Sequence, residues 1–289
     1  MPELSGIGFG NRRAPQYSAG KAAFNAVCVI ICAVVFLPIY YLVVTTFKTP
    51  QEAASSPLGL PVALTLENYR KAFAAMHFTR ALTNNAIILV FSVLLLIVFS
   101  SMAAYVIARS RKKRYLFLYS VFLAGLIIPY QTAIIPLYKI MATLRLMNTH
   151  AGVVLINAFC INLPLSIFLF RGFIHTIPIE LEEAAAIDGY GTLRTFWTIV
   201  FPLLRPIVAT VLILDSLAVW NDFMTPLLFL QSPEKGVLLQ EVYKNIGPFS
   251  TNWTSFFPML VLATLPLVVL YLILQRHVIE SVVTGAVKG

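Results

Sequence analysis

Residues 22–46 read AAFNAVCVIICAVVFLPIYYLVVTT, an unbroken stretch without a single charged side chain. About 20 apolar residues in helical form cross the hydrocarbon core of a bilayer. A helix also satisfies its own backbone polar groups there. Comparable runs recur along the chain, and only 11% of the 289 residues are charged. Soluble domains carry about 25%. The chain is therefore read as an all-α integral membrane protein, and its length bounds the number of crossings, not of soluble domains.

The predicted crossings number about six: 22–46, 86–108, 115–138, 151–170, 206–230 and 256–274. Asn84 and Asn85 are predicted N-caps of the second. Pro129 and Pro136 interrupt the third and Pro164 the fourth. Between the first two lies a proline-rich loop with a short amphipathic helix in LENYRKAFAAM. Residues 1–21 are expected to be a basic N-terminal arm and 22–289 the membrane domain. The first apolar run exceeds the roughly 7–15 residues of a signal-peptide core, so it is expected to be retained.

The net charge is +9. No basic stripe is interleaved with aromatics as single-stranded nucleic-acid platforms require, so no nucleic-acid partner is expected. The basic residues instead set orientation. RSRKKR (109–114) fills a very short loop, where the positive-inside rule applies best and makes that loop cytoplasmic. With six crossings, both termini and the segment 174–205 fall on the same side. Cys28, Cys32 and Cys160 lie in apolar runs without metal or redox spacing and are expected to be buried small hydrophobes. No metal site is expected, and no catalytic constellation or GxxxxGK[ST] phosphate loop occurs.

Segment 174–205 is the polar exception. Glu180, Glu182 and Glu183 suit the first turns of a helix, where the dipole favours acids. Ala184, Ala185 and Ala186 propagate it, and Asp188-Gly189 ends it, because glycine takes the left-handed C′ conformation. A second short helix from Thr192 carries Phe196 and Trp197 up to Pro202. The spacing predicts two helices joined by an elbow, with Leu181, Ala184, Ala185 and Asp188 on one face, small enough for close approach of another protein. An amphipathic loop lying on the membrane is the competing reading. It accounts for the aromatics but not for the acids, which anionic headgroups repel.

EEAAAIDGYGTLRTFWTIVFPLLRP resembles the EAA loop of ABC importer permeases, matching it at Glu183, Ala184, Ala185, Asp188, Gly189, Phe196, Ile199 and Pro202. It departs at Tyr190, where a small residue is usual, and at Phe201, where leucine is usual. AAYVIARSR, IIPLY, LPLSIFLFRGF, IPIELEEAA, WNDF and TGAVKG are similar to the carbohydrate-uptake branch of those permeases. The resemblance implies an ABC type I importer permease fold in a bacterial cytoplasmic (inner) membrane. It implies a second homologous permease subunit, two ATPase subunits that bind ATP and Mg, and an extracytoplasmic solute-binding protein delivering a sugar or oligosaccharide. The coupling residues it implies are Glu183, Ala184, Ala185, Asp188, Gly189, Phe196 and Pro202. No enzyme activity or cofactor is expected in this chain.

Polar side chains at bilayer depth are costly and belong against a bundle interior or a cavity. Tyr130, Gln131, Asn157, Asn162, Asp215, Asn221 and Asp222 are thus candidates for the substrate path. Helix–helix hydrogen bonding remains an open reading for Asn157 and Asn162, and a structural role for Asp215. Loop 231–255 is placed outside the membrane. Tyr243, Lys244, Asn245, Phe249 and Trp253 are its candidates for binding-protein contact, with packing on its own domain the alternative. A stand-alone ion-coupled secondary transporter is the competing class. It commonly shows inverted repeats, and none is visible here.

Overall fold

The computed structural model describes residues 19–246 and 252–286. Every regular element among them is helical. The N-terminal arm through residue 18, Gly247, Pro248, Phe249 and the last residues of TGAVKG lie outside the described residues.

Helix α1 (Ala19–Thr45) stands nearly free of the bundle, with only 6% of its most apolar window buried. Its exposed Phe24, Ile30, Val34 and Phe36 are consistent with hydrocarbon as the surrounding solvent. Cys28, Cys32 and Cys160 are also exposed on the outer surface, against the expectation of burial. The reason is the same: in a membrane protein an apolar run need not face a protein core. Two short helices, α2 (Pro50–Ser55) and α3 (Glu67–Ala75), follow α1, the second where LENYRKAFAAM predicts it. Beside them Lys48 is fully buried, its Nζ donating to the carbonyls of Ser56 (2.7 Å) and Pro57 (3.1 Å).

Helix α4 (Phe78–Arg109) is the central pillar. Its 32 residues extend about 48 Å at 1.5 Å per residue, enough to cross the bilayer and emerge on both sides. It begins after His77, a left-handed residue (φ 44°), two turns before the predicted start. Asn84 and Asn85 are therefore inside the helix and do not cap it. Their buried amides serve a distant loop instead: Asn84 Nδ2 donates to the carbonyls of Glu234 and Gly236 (2.9 Å each), and Asn85 Oδ1 accepts from the Leu238 amide (3.2 Å). Without them those buried loop groups would lack partners, a cost larger than a lost cap.

Three further crossings are broken. Helix α5 (Lys113–Ile127) meets the segment formed by a 3₁₀ turn (Tyr130–Ala133) and α6 (Ile134–Thr143) at 102°. The break falls at Pro129, as expected. Helix α7 (His150–Leu155) runs through a π-helical turn (Ile156–Ile161) and bends by 50° into α8 (Leu163–Ile174), with Pro164 in the first turn of α8. Helix α9 (Glu180–Ile187) precedes α10 (Thr192–Thr195), a second π turn (Phe196–Val200) and α11 (Phe201–Leu203). That last run meets α12 (Arg205–Trp220) at 78°. The fifth crossing stops at Trp220 and does not continue to 230. A new helix, α13 (Met224–Phe229), starts where Asp222 Oδ1 accepts the Thr225 amide (3.0 Å). Helix α14 (Leu238–Lys244) and the long α15 (Trp253–Ala286) complete the order. Residues expected as a tail after 274 continue α15.

Among the described residues three helices are long and apolar enough to span, and the number is up to six where each bent pair counts as one span. Around α4 the interior falls into three apolar clusters. One, with Tyr105, Ile174, Phe196 and Leu204, underlies α9–α11. A second, with Val153, Ile156, Val219 and Phe229, lies at the other end, and a third joins Met76, Trp220 and Ala263 across α3, α12 and α15. Trp220 Nε1 donates to the Ala263 carbonyl (3.1 Å), so its one polar atom is satisfied in the apolar interior. The rings of Tyr41 and Phe257 meet edge-on at 5.6 Å, which sets the end of α1 beside the start of α15.

Candidate functional site

Two places gather the polar residues singled out by sequence, one at each end of the bundle. At the RSRKKR end, α9 closes with both bonds of a Schellman motif: the Tyr190 amide donates to the Ala185 carbonyl (2.9 Å) and the Gly189 amide to that of Ala186 (3.1 Å). Gly189 has φ +81°, the conformation its sequence context predicts. Arg194 of α10 stacks on the Tyr190 ring at 4.0 Å. Tyr190 thus becomes part of the elbow where a smaller residue is usual.

The faces of α9 differ from the simple wheel. Ala185 is turned inward and buried, whereas Leu181, Glu183, Ala184, Ile187, Asp188 and Gly189 are exposed. The outward surface is therefore Leu181, Ala184, Ile187 and Asp188, flanked by Glu183. Phe196 is buried, its ring 5.3 Å from that of Tyr105, and anchors the second half of the elbow in the bundle. Pro202 lies in α11, one turn before the bend into α12.

Sequence reasoning missed Glu182 as the tie between this elbow and the pillar. Its carboxylate accepts from Arg109 Nε (2.7 Å, Oε1) and from the Tyr105 hydroxyl (2.7 Å, Oε2). Arg109 also donates to the Ile177 carbonyl (2.9 Å). Both charged side chains are largely covered, 17% and 12% exposed, so removing either would strand the other away from most of the solvent. Arg109 had counted only toward topology, as the first residue of RSRKKR.

At the opposite end, a cleft of about 420 Å³ is lined by Tyr130, Gln131, Asn157, Asn162, Asn221 and Asp222, with Ile161, Ala218, Phe223 and Met224. Three backbone irregularities build it: the break after Pro129, the π turn holding Asn157, and the break after Trp220. Such interruptions at depth are tolerated where they line a cavity, and π turns often mark functional positions. Asn157 Nδ2 donates to Asp222 Oδ2 (3.1 Å), and Asn162 Nδ2 to the Asn157 carbonyl (3.2 Å). Thr225, not foreseen from sequence, donates its hydroxyl to the Tyr130 oxygen (3.2 Å) while its amide caps on Asp222. Asn157 and Asn162 therefore make internal hydrogen bonds and line the cleft at once; the two readings are not exclusive. No lysine or arginine lines it.

Asp215 is not among the lining residues. It is buried between α12 and α8, accepting the Ser166 hydroxyl at 2.8 Å. That geometry supports the structural reading.

The loop beyond the cleft is held down on its inner side. Asn148 Oδ1 accepts the amides of Gln231 (3.1 Å) and Ser232 (3.0 Å), and Lys235 donates to the Asn148 carbonyl. Its outer side stays open. Tyr243, Lys244, Asn245 and Trp253 are exposed, Lys244 is paired with Glu241 (2.7 Å), and the Tyr243 ring meets Phe223 of the cleft at 5.1 Å. Phe249 lies outside the described residues.

The comparisons match this architecture. Residues 96–283 match the model of the family described as "Binding-protein-dependent transport system inner membrane component". The chain is 38% identical over 261 residues to the melibiose/raffinose/stachyose import permease protein MelC of Bacillus subtilis, covering 90% of this chain and 94% of that protein. It is 34% identical over 251 residues (87% and 91%) to AmyC of Thermoanaerobacterium thermosulfurigenes, a probable permease for starch degradation products. The multiple sugar-binding transport system permease MsmG of Streptococcus mutans is 34% identical over 261 residues (88% and 92%). The fold is similar, at TM-score 0.79 and 21% identity over 91% of this chain and 99% of the other, to a chain in the crystal structure of a bacterial ABC transporter that imports the acidic polysaccharide alginate. With the family model spanning well over half its length and curated sugar permeases aligned nearly end to end, this chain belongs to the binding-protein-dependent transport system inner membrane components.

Proposed function

We propose that this chain is the membrane-spanning permease subunit of an ATP-driven, binding-protein-dependent importer of neutral sugars or oligosaccharides in a bacterial cytoplasmic membrane. In this reading it pairs with a second, related permease. Two ATPase subunits, which bind ATP and magnesium, seat on the outward surface of α9 through Glu183, Ala184, Asp188 and Gly189, with Ala185, Phe196 and Pro202 anchoring the elbow from within. Closure of the ATPases tilts α9. The tie from Glu182 to Arg109 carries that motion into α4, the helix against which the bundle packs. A solute-binding protein meets the outer side of loop 231–255 and delivers sugar at the cleft mouth, where Phe223 joins loop to lining.

The observation that carries the substrate class is the lining of the cleft. Two asparagines, a glutamine, a tyrosine and a third asparagine donate and accept hydrogen bonds without a net positive charge. Such groups suit hydroxyl-rich, uncharged ligands, and Asp222 disfavours anionic ones. The solutes named for the relatives, melibiose, raffinose, stachyose and starch degradation products, agree.

Uptake of a labelled neutral oligosaccharide by vesicles holding the complete transporter tests this. ATP depletion should abolish it and a protonophore should leave it intact. Asn157→Leu should lower uptake at least about tenfold, as expected from losing about 1.4 kcal/mol or more of hydrogen bonding. Uptake that follows the proton gradient would favour an ion-coupled secondary transporter instead.

A further inference from the structure

A second cavity, of about 360 Å³, opens at the end of the bundle that carries the elbow. It is formed by the end of α4, the start of α5 and the end of α8, and nothing in the transport reading uses it. Its walls combine Arg111, Lys112, Lys113, Arg171 and His175 with the apolar Ile107, Ala108 and Leu116. No acid lines it. Glu182, the acid at this end tied to the pillar, is already engaged by Arg109 and Tyr105. The Arg171 guanidinium lies flat on the Tyr119 ring at 4.1 Å, and its buried Nε has no hydrogen-bond partner among the described residues. Partial desolvation, then the neighbouring Arg171 and Arg109, hold the His175 imidazole below its ordinary value, and the other basic side chains of the wall are two arginines and two lysines.

Two arginines and two lysines with no ion-pair partner among the described residues call for an anion of more than one charge-bearing oxygen. Where the cavity sits narrows the choice. Lys112 and Lys113 stand at the start of α5, a predominantly apolar helix, and its Leu116 and Phe117 continue the apolar wall outward as exposed side chains. A ligand with a phosphate head and hydrocarbon tails matches both parts, whereas a free phosphate matches only the first. Basic pockets between helices on the cytoplasmic face recognise anionic headgroups on this principle.

We infer that this cavity is a binding site for the phosphate headgroup of an anionic phospholipid of the cytoplasmic leaflet, with the acyl chains lying along α5. Occupied, it would pin the end of α8, from which the chain runs on to α9, and the α4–α5 turn beside Arg109, to which Glu182 of α9 is tied. The site does not depend on which solute is carried.

The assembled transporter, reconstituted into vesicles of phosphatidylcholine with phosphatidylglycerol and then extracted into detergent, is examined by native mass spectrometry for retained lipid. Phosphatidylglycerol should be retained in preference to phosphatidylcholine. Lys112→Gln/Lys113→Gln, at exposed positions that leave packing intact, should weaken retention about thirtyfold, from roughly 1 kcal/mol per basic residue. Arg70→Gln/Lys71→Gln, at the other end of the bundle, should leave it unchanged. Equal retention of the two lipids, an unaltered affinity in Lys112→Gln/Lys113→Gln, or displacement of phosphatidylglycerol by millimolar inorganic phosphate would overturn the assignment.

Discussion

Glu182 shows how much a single carboxylate decides at the residue scale. It faces neither lipid nor the outward surface of α9, and both its oxygens are spent on α4. Removing one member of a fully buried pair costs about 3–5 kcal/mol because the other charge is stranded. Here partial exposure lets water reach Arg109, so Glu182→Ala should cost about 2 kcal/mol. Amide exchange across α9 should then quicken about thirtyfold while exchange in α4 stays slow. Unchanged exchange in α9 would mean that packing alone seats the helix. Glu183, its neighbour in sequence and the acid singled out by the EAA resemblance, is exposed and has no such partner among the described residues. The pattern of three acids was legible in the chain. Which of them turns inward was not, because that choice rests on an arginine 73 positions away.

Among the elements, the elbow is the one whose conformation follows most directly from local chemistry. An alanine run, an Asp-Gly pair and a following aromatic specify a helix, its stop and its C″ contact without help from the rest of the fold. A Cβ on Gly189 would meet no atom within 4 Å, so any defect of a substitution there comes from φ and not from crowding. Gly189→Val should destabilise the elbow by about 1–2 kcal/mol and sharply lower uptake. Gly189→Asn, which accepts the left-handed region more readily, should restore most of it. Equal uptake in both variants would remove the elbow's conformation from the coupling mechanism. The broken crossings are a different case. Pro129 and Pro164 announce interruptions, but nothing in WNDF announces that a helix stops at Trp220. That break exists because the Asp222 carboxylate is drawn to Asn157, 65 residues away, while it caps α13.

On the scale of the whole molecule, two surfaces stay open among the described residues. Asn221 of the cleft is exposed, and α1 presents an apolar surface with almost no contact to its own bundle. In the proposed transporter these are the surfaces left for the related permease and for lipid. A cysteine at Asn221, in a transporter whose Cys28, Cys32 and Cys160 have been replaced, should react with a hydrophilic maleimide. Saturating transported sugar should slow that reaction about tenfold, as expected for burial worth roughly 1.4 kcal/mol. Labelling indifferent to every transported sugar would place the solute elsewhere. Asp215 gives the converse lesson. Its depth in α12 marks it as costly, yet the fold resolves the cost inside the chain with Ser166 and leaves the cleft to Asp222.

The linear sequence was sufficient for what depends on neighbours within a turn or two. Apolar runs longer than a bilayer core and a Gly-terminated acidic helix set the candidate crossings and the elbow, because hydrophobic transfer and capping are local. Only the tertiary structure decided that Asn84 and Asn85 latch a loop 150 residues away instead of capping a helix, and that Ala185 faces inward. It also decided that Tyr130, Asn157 and Asp222 meet in one cleft. The reason is physical: a buried amide or carboxylate takes whichever partner the fold brings within hydrogen-bond distance, and that partner is chosen by packing across the bundle.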